Sequence, residues 1–233
     1  MRSYGQYCPI ARGAEIFAER WTPVIMRNVL LGCETFTEIQ RGAPGIPRSL
    51  LAGRLSLLER HGLIERRTPA RGRGARYLPT EAGRDLWKVC VALGEWGARW
   101  LEVAPEHLDP YVALWSMCKS LDAERLPDRR VVVRFEFQGL PKRTGRMWLL
   151  VERGEGEVCG ICPGEEDLAV IADPERFVRW HMGDLSWPEA TAGDAIRIEG
   201  PRDLAASFPS WNRRSAFAHI RPAAGSRRGP ASG

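Results

Sequence analysis

Little in this 233-residue chain points to catalysis, to membranes or to a metal. No apolar run approaches the roughly 18–20 residues that a bilayer-spanning helix needs. The opening Met1–Pro9 stretch lacks the apolar core of a secretory signal. Six cysteines are too few for a disulfide scaffold in a chain of this size and fit a reducing compartment, so the expectation is a cytoplasmic protein. The four histidines, His61, His107, His181 and His219, are scattered, and none belongs to an H-E-x-x-H pair. There is no G-x-S-x-G elbow and no Walker P-loop, and the Gly154-Glu155-Gly156 run lies between two strand-like segments rather than between a strand and a helix. The chain is therefore expected to be no enzyme, with no cofactor, no metal and no membrane partner.

What is present is charge, unevenly placed. Residues 1–101 carry 16 Lys and Arg against 9 Asp and Glu, a balance of +7; residues 102–233 carry 18 against 20, a balance of −2. A basic first half beside a near-neutral second half suggests that the first half meets a polyanion.

The first half reads as helices followed by a hairpin. Ile10, Ala14, Phe17 and Trp21 share one helical stripe, and Thr22-Pro23 reads as an N-cap and first-turn proline of a second helix that Gly32 ends. Thr35-Phe36-Thr37-Glu38 has the form of a capping box and opens a short third helix. After the Ala43-Pro44-Gly45 turn, Pro47 begins a helix over Arg48–Arg60 with Leu51, Leu55 and Leu58 buried. Leu63–Thr68 and Arg76–Leu78 are extended around a Gly/Arg tip. Thr80 then caps a long helix bearing Leu86, Leu93, Trp96 and Trp100. The expected fold over residues 1–101 is a winged helix-turn-helix, mainly α with a β-hairpin wing.

Such a fold sets one helix in the major groove of double-stranded DNA and lays the wing along the backbone or minor groove. On the Arg48–Arg60 helix, Arg48, Ser49, Ala52 and Gly53 face outward with Arg54 at the edge, and small Ala52 and Gly53 leave room for close approach. Arg71, Arg73 and Arg76 of the wing are spaced for phosphates. A solvated arginine loop is the plainer alternative. Leu86, Leu93, Trp96 and Trp100 form a stripe too large to leave in water, which predicts either self-association or packing on the rest of the chain.

The ordered motifs Tyr7-Cys8-Pro9-Ile10, Glu19-Arg20-Trp21-Thr22, Leu30-Leu31-Gly32, Phe36-Thr37-Glu38-Ile39, Pro44-Gly45-Ile46, Leu51-Ala52-Gly53-Arg54-Leu55, Gly62-Leu63-Ile64 and Thr80-Glu81-Ala82-Gly83 resemble those of the HxlR-type winged-helix transcriptional regulators. The resemblance covers about residues 5–101. It implies a homodimer on a two-fold DNA site, with the terminal helices in the dimer contact. Pro47 departs from it by standing where the family often has a Ser or Thr cap. Some relatives sense oxidants or electrophiles through a cysteine near the N-terminus. Cys8 is the corresponding residue, with Arg12 and the following helix N-terminus as thiolate stabilisers; a small buried packing residue is the alternative.

The second half groups its strands, with helices at the ends, as an α+β domain over residues 106–220. Strands are expected at Val131–Phe137, Met147–Val151, Val158–Cys162, Leu168–Ala172 and Ile196–Ile198, with helices over Glu106–Leu121, to Met182 after Asp173-Pro174, and over Arg202–Phe208. The runs Val131–Phe137, Cys162-Pro163-Gly164, Gly183–Trp187 and Phe208–Trp211, in that order, resemble a sterol carrier protein type-2-like domain. That resemblance implies an apolar tunnel for a small apolar or lipid-like effector, with Phe135, Phe137, Trp148, Trp180 and Trp187 as lining candidates; a filled core is the alternative. A lipid-binding protein whose winged helix is only a scaffold is a further reading. Cys159-Gly160-Ile161-Cys162 has C-x-x-C spacing but no second pair to complete a metal site. Residues 221–233 read as a disordered tail.

Overall fold

The computed structural model describes residues 3–68 and 74–223 and divides the chain into two compact units, Met1–Gly94 and Glu95–Gly233. The division falls inside a helix, ahead of the 102–106 segment where the sequence placed the boundary.

The first unit comprises α1 (Pro9–Phe17), α2 (Thr22–Leu30), α3 (Phe36–Arg41), α4 (Arg48–Arg60), β1 (Ile64–Arg67), β2 (Arg76–Pro79) and the start of α5 (Glu81–Trp100). α1 ends at Phe17 with Ala18 as its C-cap, so Trp21 lies beyond it and adopts a left-handed conformation (φ 76°) at the start of α2. Trp21 thus holds the N-cap position, and Thr22 lies inside the first turn rather than capping it. The capping box of α3 forms as the sequence predicts: Thr35 Oγ1 accepts from Glu38 N at 3.2 Å, and Glu38 Oε2 accepts from Thr35 N at 2.9 Å. Ile25, Met26, Ile39, Leu51, Leu55 and Leu58 form the core. Buried Asn28 ties α2 to α3, donating from Nδ2 to Ile39 O at 2.9 Å while Oδ1 accepts from Arg27, whose Nη2 also reaches Gly42 O.

α5 sits hard against the end of α4. Thr80 Oγ1 accepts from Gly83 N and donates to Gly62 O, and a Cβ at Gly83 would stand 1.9 Å from the Leu63 carbonyl oxygen. Only glycine fits there.

The second unit contains α6 (Pro110–Lys119), β3 (Val131–Phe137), α7 (Lys142–Gly145), β4 (Arg146–Glu152), β5 (Glu155–Cys159), β6 (Leu168–Ala172), α8 (Pro174–Met182), α9 (Trp187–Thr191), β7 (Ile196–Glu199) and α10 (Arg202–Trp211). Its five strands run in the order β5-β4-β3-β6-β7, with β3 and β6 parallel and the other neighbours antiparallel. The third strand lies earlier than Val158–Cys162. Arg153 and Gly154, both at positive φ, make a two-residue turn that pairs Glu152 with Glu155 and leaves Cys162 in a loop. The expected Glu106–Leu121 helix is interrupted: Asp109 caps, through its side chain on Tyr111 N, a helix that restarts at Pro110. α7 and α9 are short elements that periodicity did not reveal.

Val131, Val133, Phe135 and Phe137 of β3 share a face with Met147, Leu149 and Val151 of β4, and all seven are buried. Onto this face α8 and α10 bring Phe177, Trp180, Phe208 and Trp211, with ring centroids 5.3–6.1 Å apart. Of the expected tail, Arg221–Ala223 are described and Ala223 N donates to Arg99 O at 2.8 Å; residues 224–233 lie outside the described residues.

Candidate nucleic-acid interface

α3, the turn after it and α4 form the helix-turn-helix, and the buried Leu51, Leu55 and Leu58 fix which side of α4 faces out. That side carries Arg48, Ser49, Ala52 and Gly53, all exposed. Ser56 and Arg60 continue the stripe at helical spacing; sequence reasoning passed them over although the period from Ser49 reaches both. The Arg48 guanidinium lies 4.8 Å from the Phe36 ring centroid and donates to Gln40 Oε1 at 3.1 Å, so α3 holds it in place while it stays exposed. A Cβ at Gly53 would meet nothing within 4 Å. Internal packing therefore does not require glycine at this position.

Two of the expected contact arginines are engaged in ion pairs within the chain, Arg54 half-buried and Arg76 exposed. Arg54 Nη2 donates to Glu19 Oε2 at 2.7 Å and is half-buried, tying α4 to the turn before α2. Arg76 pairs with Glu34, and Tyr77 N donates to Glu34 O at 2.7 Å, so the base of the wing is pinned beside α3. Arg71 and Arg73 lie outside the described residues. Exposed Arg66 on β1 is a basic wing residue not singled out from the sequence.

Along α5, Leu86 is half-buried, while Leu93, Trp96 and Trp100 are 50%, 55% and 47% exposed. Tyr7 and Ile10 at the start of α1 are also exposed. Cys8 occupies the N-cap position of α1 as a half-buried free thiol. Arg12 pairs with Glu15, whose carboxyl is held below its usual range by Ser3 and by the Tyr4 amide.

The effector candidates separate. Phe135, Phe137 and Trp180 are buried in the second unit's core, and half-buried Trp187 lies against Trp180 with ring centroids 4.8 Å apart and the planes tilted by 58°. Trp148 lies on the opposite face of β4, where its Nε1 donates to Glu166 Oε1 at 2.8 Å. An open, polar cleft of about 730 Å³ lies elsewhere, beyond the ends of the parallel strands β3 and β6, lined by Gln138, Asp173, Arg176, Arg179 and Asp194 among others. Among the described residues no group of three or more His, Cys, Asp or Glu could hold a metal ion, and no helix is long and apolar enough to cross a membrane. Cys162, exposed, donates its thiol to Gly164 O at 2.8 Å beside Glu166.

The profile of the HxlR-like helix-turn-helix family matches residues 16–105, which takes in α2 to α5 and the wing. The uncharacterized HTH-type transcriptional regulator Rv3095 of Mycobacterium tuberculosis is 39% identical over 115 residues, which cover 43% of this chain and 72% of the relative. This chain belongs to the HxlR-like helix-turn-helix family. A second relative, the HTH-type transcriptional regulator YvaP of Bacillus subtilis, is 28% identical over 109 residues, covering 45% of this chain and 96% of its own. Among solved structures, the reduced form of the transcriptional regulator YodB from B. subtilis aligns at 28% identity and a TM-score of 0.37 over 42% of this chain and 97% of that one. The redox regulator HypR in its reduced form aligns at 25% identity and a TM-score of 0.37 over 39% and 90%. The HxlR-like match thus falls on the helices and hairpin that carry Arg48, Gly53 and Arg66.

Proposed function

We propose that this HxlR-like protein is a transcriptional regulator that binds double-stranded DNA as a homodimer on a two-fold site. The observation that carries the reading is the outward stripe of α4, where Arg48 is held by Phe36 and Gln40 next to the open backbone at Gly53. Arg48, Ser49, Ala52 and Gly53 are assigned to the bases, with Arg60 and the wing arginines Arg66, Arg71 and Arg73 on phosphates. Arg54 and Arg76 act one step back, holding α4 and the wing through Glu19 and Glu34. The half-exposed Leu93, Trp96 and Trp100, with Leu86, form the dimer face, because tryptophans left this open on a monomer would be costly in water.

The test is selection from a pool of random duplexes by the full chain, followed by affinity measurements on the enriched sequence. A two-fold symmetric consensus is expected, and Arg48→Ala should weaken binding roughly tenfold to a hundredfold, as loss of a bidentate base contact does. No enrichment, or unchanged affinity in both Arg48→Ala and Gly53→Asp, would reject the reading.

The second unit is assigned to sensing a small apolar, lipid-like effector, in the manner of a sterol-carrier-like domain. The support is its aromatic cluster around Phe135, Phe137, Trp180 and Trp187. Because these rings already touch, an effector would enter by displacing Trp187, which is half-exposed. It could change DNA affinity only through unequal affinity for two states of the dimer. Native mass spectrometry of gently purified protein checks this: extra mass that denaturing extraction releases supports it, and a bare dimer mass speaks against it. Oxidant sensing through Cys8 has weaker support, since the Arg12 charge is matched to Glu15.

A further inference from the structure

The chain beyond α10 does not trail away. Leu121 and Asn212 form an antiparallel bridge, Asp122 N donates to Trp211 O at 3.0 Å, and Arg213 Nη2 reaches Asp122 Oδ1 at 2.8 Å. Ser215 N donates to His181 O at 2.8 Å, two hydrogen-bonded turns follow, and Ala223 N ends on the carbonyl of Arg99. That carbonyl belongs to the last turn of α5, where helices leave C=O groups without partners of their own. Ala218 lies against Gly183, where a Cβ would stand 2.7 Å from the Ala218 Cβ. Residues 212–223 thus form a strap from the end of α10 to the end of α5.

The strap starts at a buried polar pair. His181 Nδ1 and Asn212 Oδ1 are 3.0 Å apart, and the same oxygen accepts from Arg214 N. The His181 ring therefore donates from Nδ1 and keeps a lone pair on Nε2. Among the described residues, His181 Nε2, Asn212 Nδ2 and the neighbouring Trp211 Nε1 are buried with no partner, and Arg214 is held at φ 63°. Three unmatched buried groups and a left-handed arginine mean that the latch is closed at a cost, unlike a fully satisfied core network.

We infer that residues 212–223 are a releasable strap on α5, latched by the His181–Asn212 pair, through which the second unit controls the last turn of that helix. The consequence for dimerisation rests on the assignment of the α5 apolar face under the proposed function; the strap itself does not. Opening the latch removes the cap from Arg99 O beside Trp96 and Trp100, so it loosens the turn that carries half of the apolar face.

Amide hydrogen exchange on the full chain tests this. In Asn212→Ala, the amides of Ser215, Ala223 and Leu101 should exchange roughly five to tenfold faster, as loss of one buried hydrogen bond predicts, while those of Val133, Phe135 and Val170 in β3 and β6 stay as in the wild type. Arg213→Ala cuts the Asp122 pair without opening a buried site, and should give the same pattern more weakly. If Ser215 quickens but Ala223 and Leu101 do not, or if Val133, Phe135 and Val170 quicken along with them in both variants, the strap is ordinary packing and the inference fails. Sedimentation separates the two readings. The exchange pattern in a protein that stays monomeric would keep the strap and reject the dimer; a dimer without the pattern would do the reverse.

Discussion

Two buried polar networks, one in each unit, are satisfied to different degrees, although the first unit has unmatched atoms of its own in Thr22 Oγ1 and Arg54 Nε. In the first, Asn28 uses its amide on both sides: Nδ2 serves Ile39 O, Oδ1 takes two donors from Arg27, and Arg27 goes on to Gly42 O. In the second, the His181–Asn212 pair leaves its outer atoms and the indole of Trp211 unmatched. A satisfied network fixes one geometry, whereas a partly satisfied one leaves states close in free energy. The Asn28 network thus fixes α2 on α3, the helix that holds Arg48, and the His181–Asn212 pair is the element that can give way. Removing one residue from each network should expose the difference. Asn28→Ala leaves the buried Ile39 carbonyl without this donor and takes from the half-buried Arg27 guanidinium the acceptor of two of its hydrogen bonds, so a loss of about 3 kcal/mol is expected. Asn212→Ala also deletes an unmatched donor, so about 1 kcal/mol is expected. Urea unfolding of each variant, followed by exchange at Ile39 and at Phe177, checks the pair; equal losses would erase the contrast.

Two glycines sharpen the comparison within the first unit. At Gly83 an added methyl would collide with the Leu63 carbonyl, and the backbone must move to admit it, so Gly83→Ala should cost about 2 kcal/mol and lower the melting temperature. Gly53 is as helical but faces open space. There the same substitution should stabilise the helix by about 0.5–1 kcal/mol, since alanine restricts the unfolded chain without a clash. Gly53→Ala is accordingly expected to raise stability while lowering DNA affinity, and a thermal melt set beside a titration of the selected duplex separates the two effects.

The His181 latch makes stability depend on pH in a direction fixed by its surroundings. Burial disfavours the charged ring more than the Asn212 bond favours it, so the folded value lies below the ordinary 6.5. With the folded value depressed, the unfolded chain binds the proton more readily. Stability is therefore full above about pH 6.5 and falls as the pH drops from there towards the folded value. Carboxylates held low by their partners, such as Asp122 by Arg213 and Glu189 by Ser186, give way at lower pH, so the histidine step should be seen first. Urea midpoints between pH 7.5 and 5.5 should decline in the wild type, and the decline should shrink in His181→Gln.

Much of this organisation was legible in the sequence where local chemistry decides it. The capping box at Thr35, the bounds of α4, the strands Val131–Phe137 and Leu168–Ala172 and the Asp173-Pro174 start of α8 follow from short-range signals. What remained hidden depends on residues far apart in the chain. Arg54 finds Glu19 across 35 positions and Arg76 finds Glu34 across 42, so two arginines that look free in the sequence are structural ties. The latch joins His181 to Asn212 across 31 positions and has no local signature. Trp148 is a different case: alternation from Met147 to Val151 already set it on the face opposite Leu149, and its aromatic character alone suggested the core.

Arg48 should show the smallest effect on stability and a clear effect on binding. Its guanidinium is exposed and makes one hydrogen bond and one ring contact, both to α3. Exposed contacts of this kind contribute little to folding, so Arg48→Ala should leave the urea midpoint within about 0.5 kcal/mol of the wild type. On DNA the same charge counts in full, because it is presented beside the small residues Ser49, Ala52 and Gly53. A base contact should appear as a loss confined to the selected sequence, with the salt slope preserved; a phosphate contact should weaken all duplexes alike and reduce that slope by about one unit. Titrations of Arg48→Ala against the selected duplex and a scrambled one at several salt concentrations distinguish the two. Because Phe36 and Gln40 hold the guanidinium at a fixed place on α3, Phe36→Leu should reproduce part of the binding loss without removing any charge.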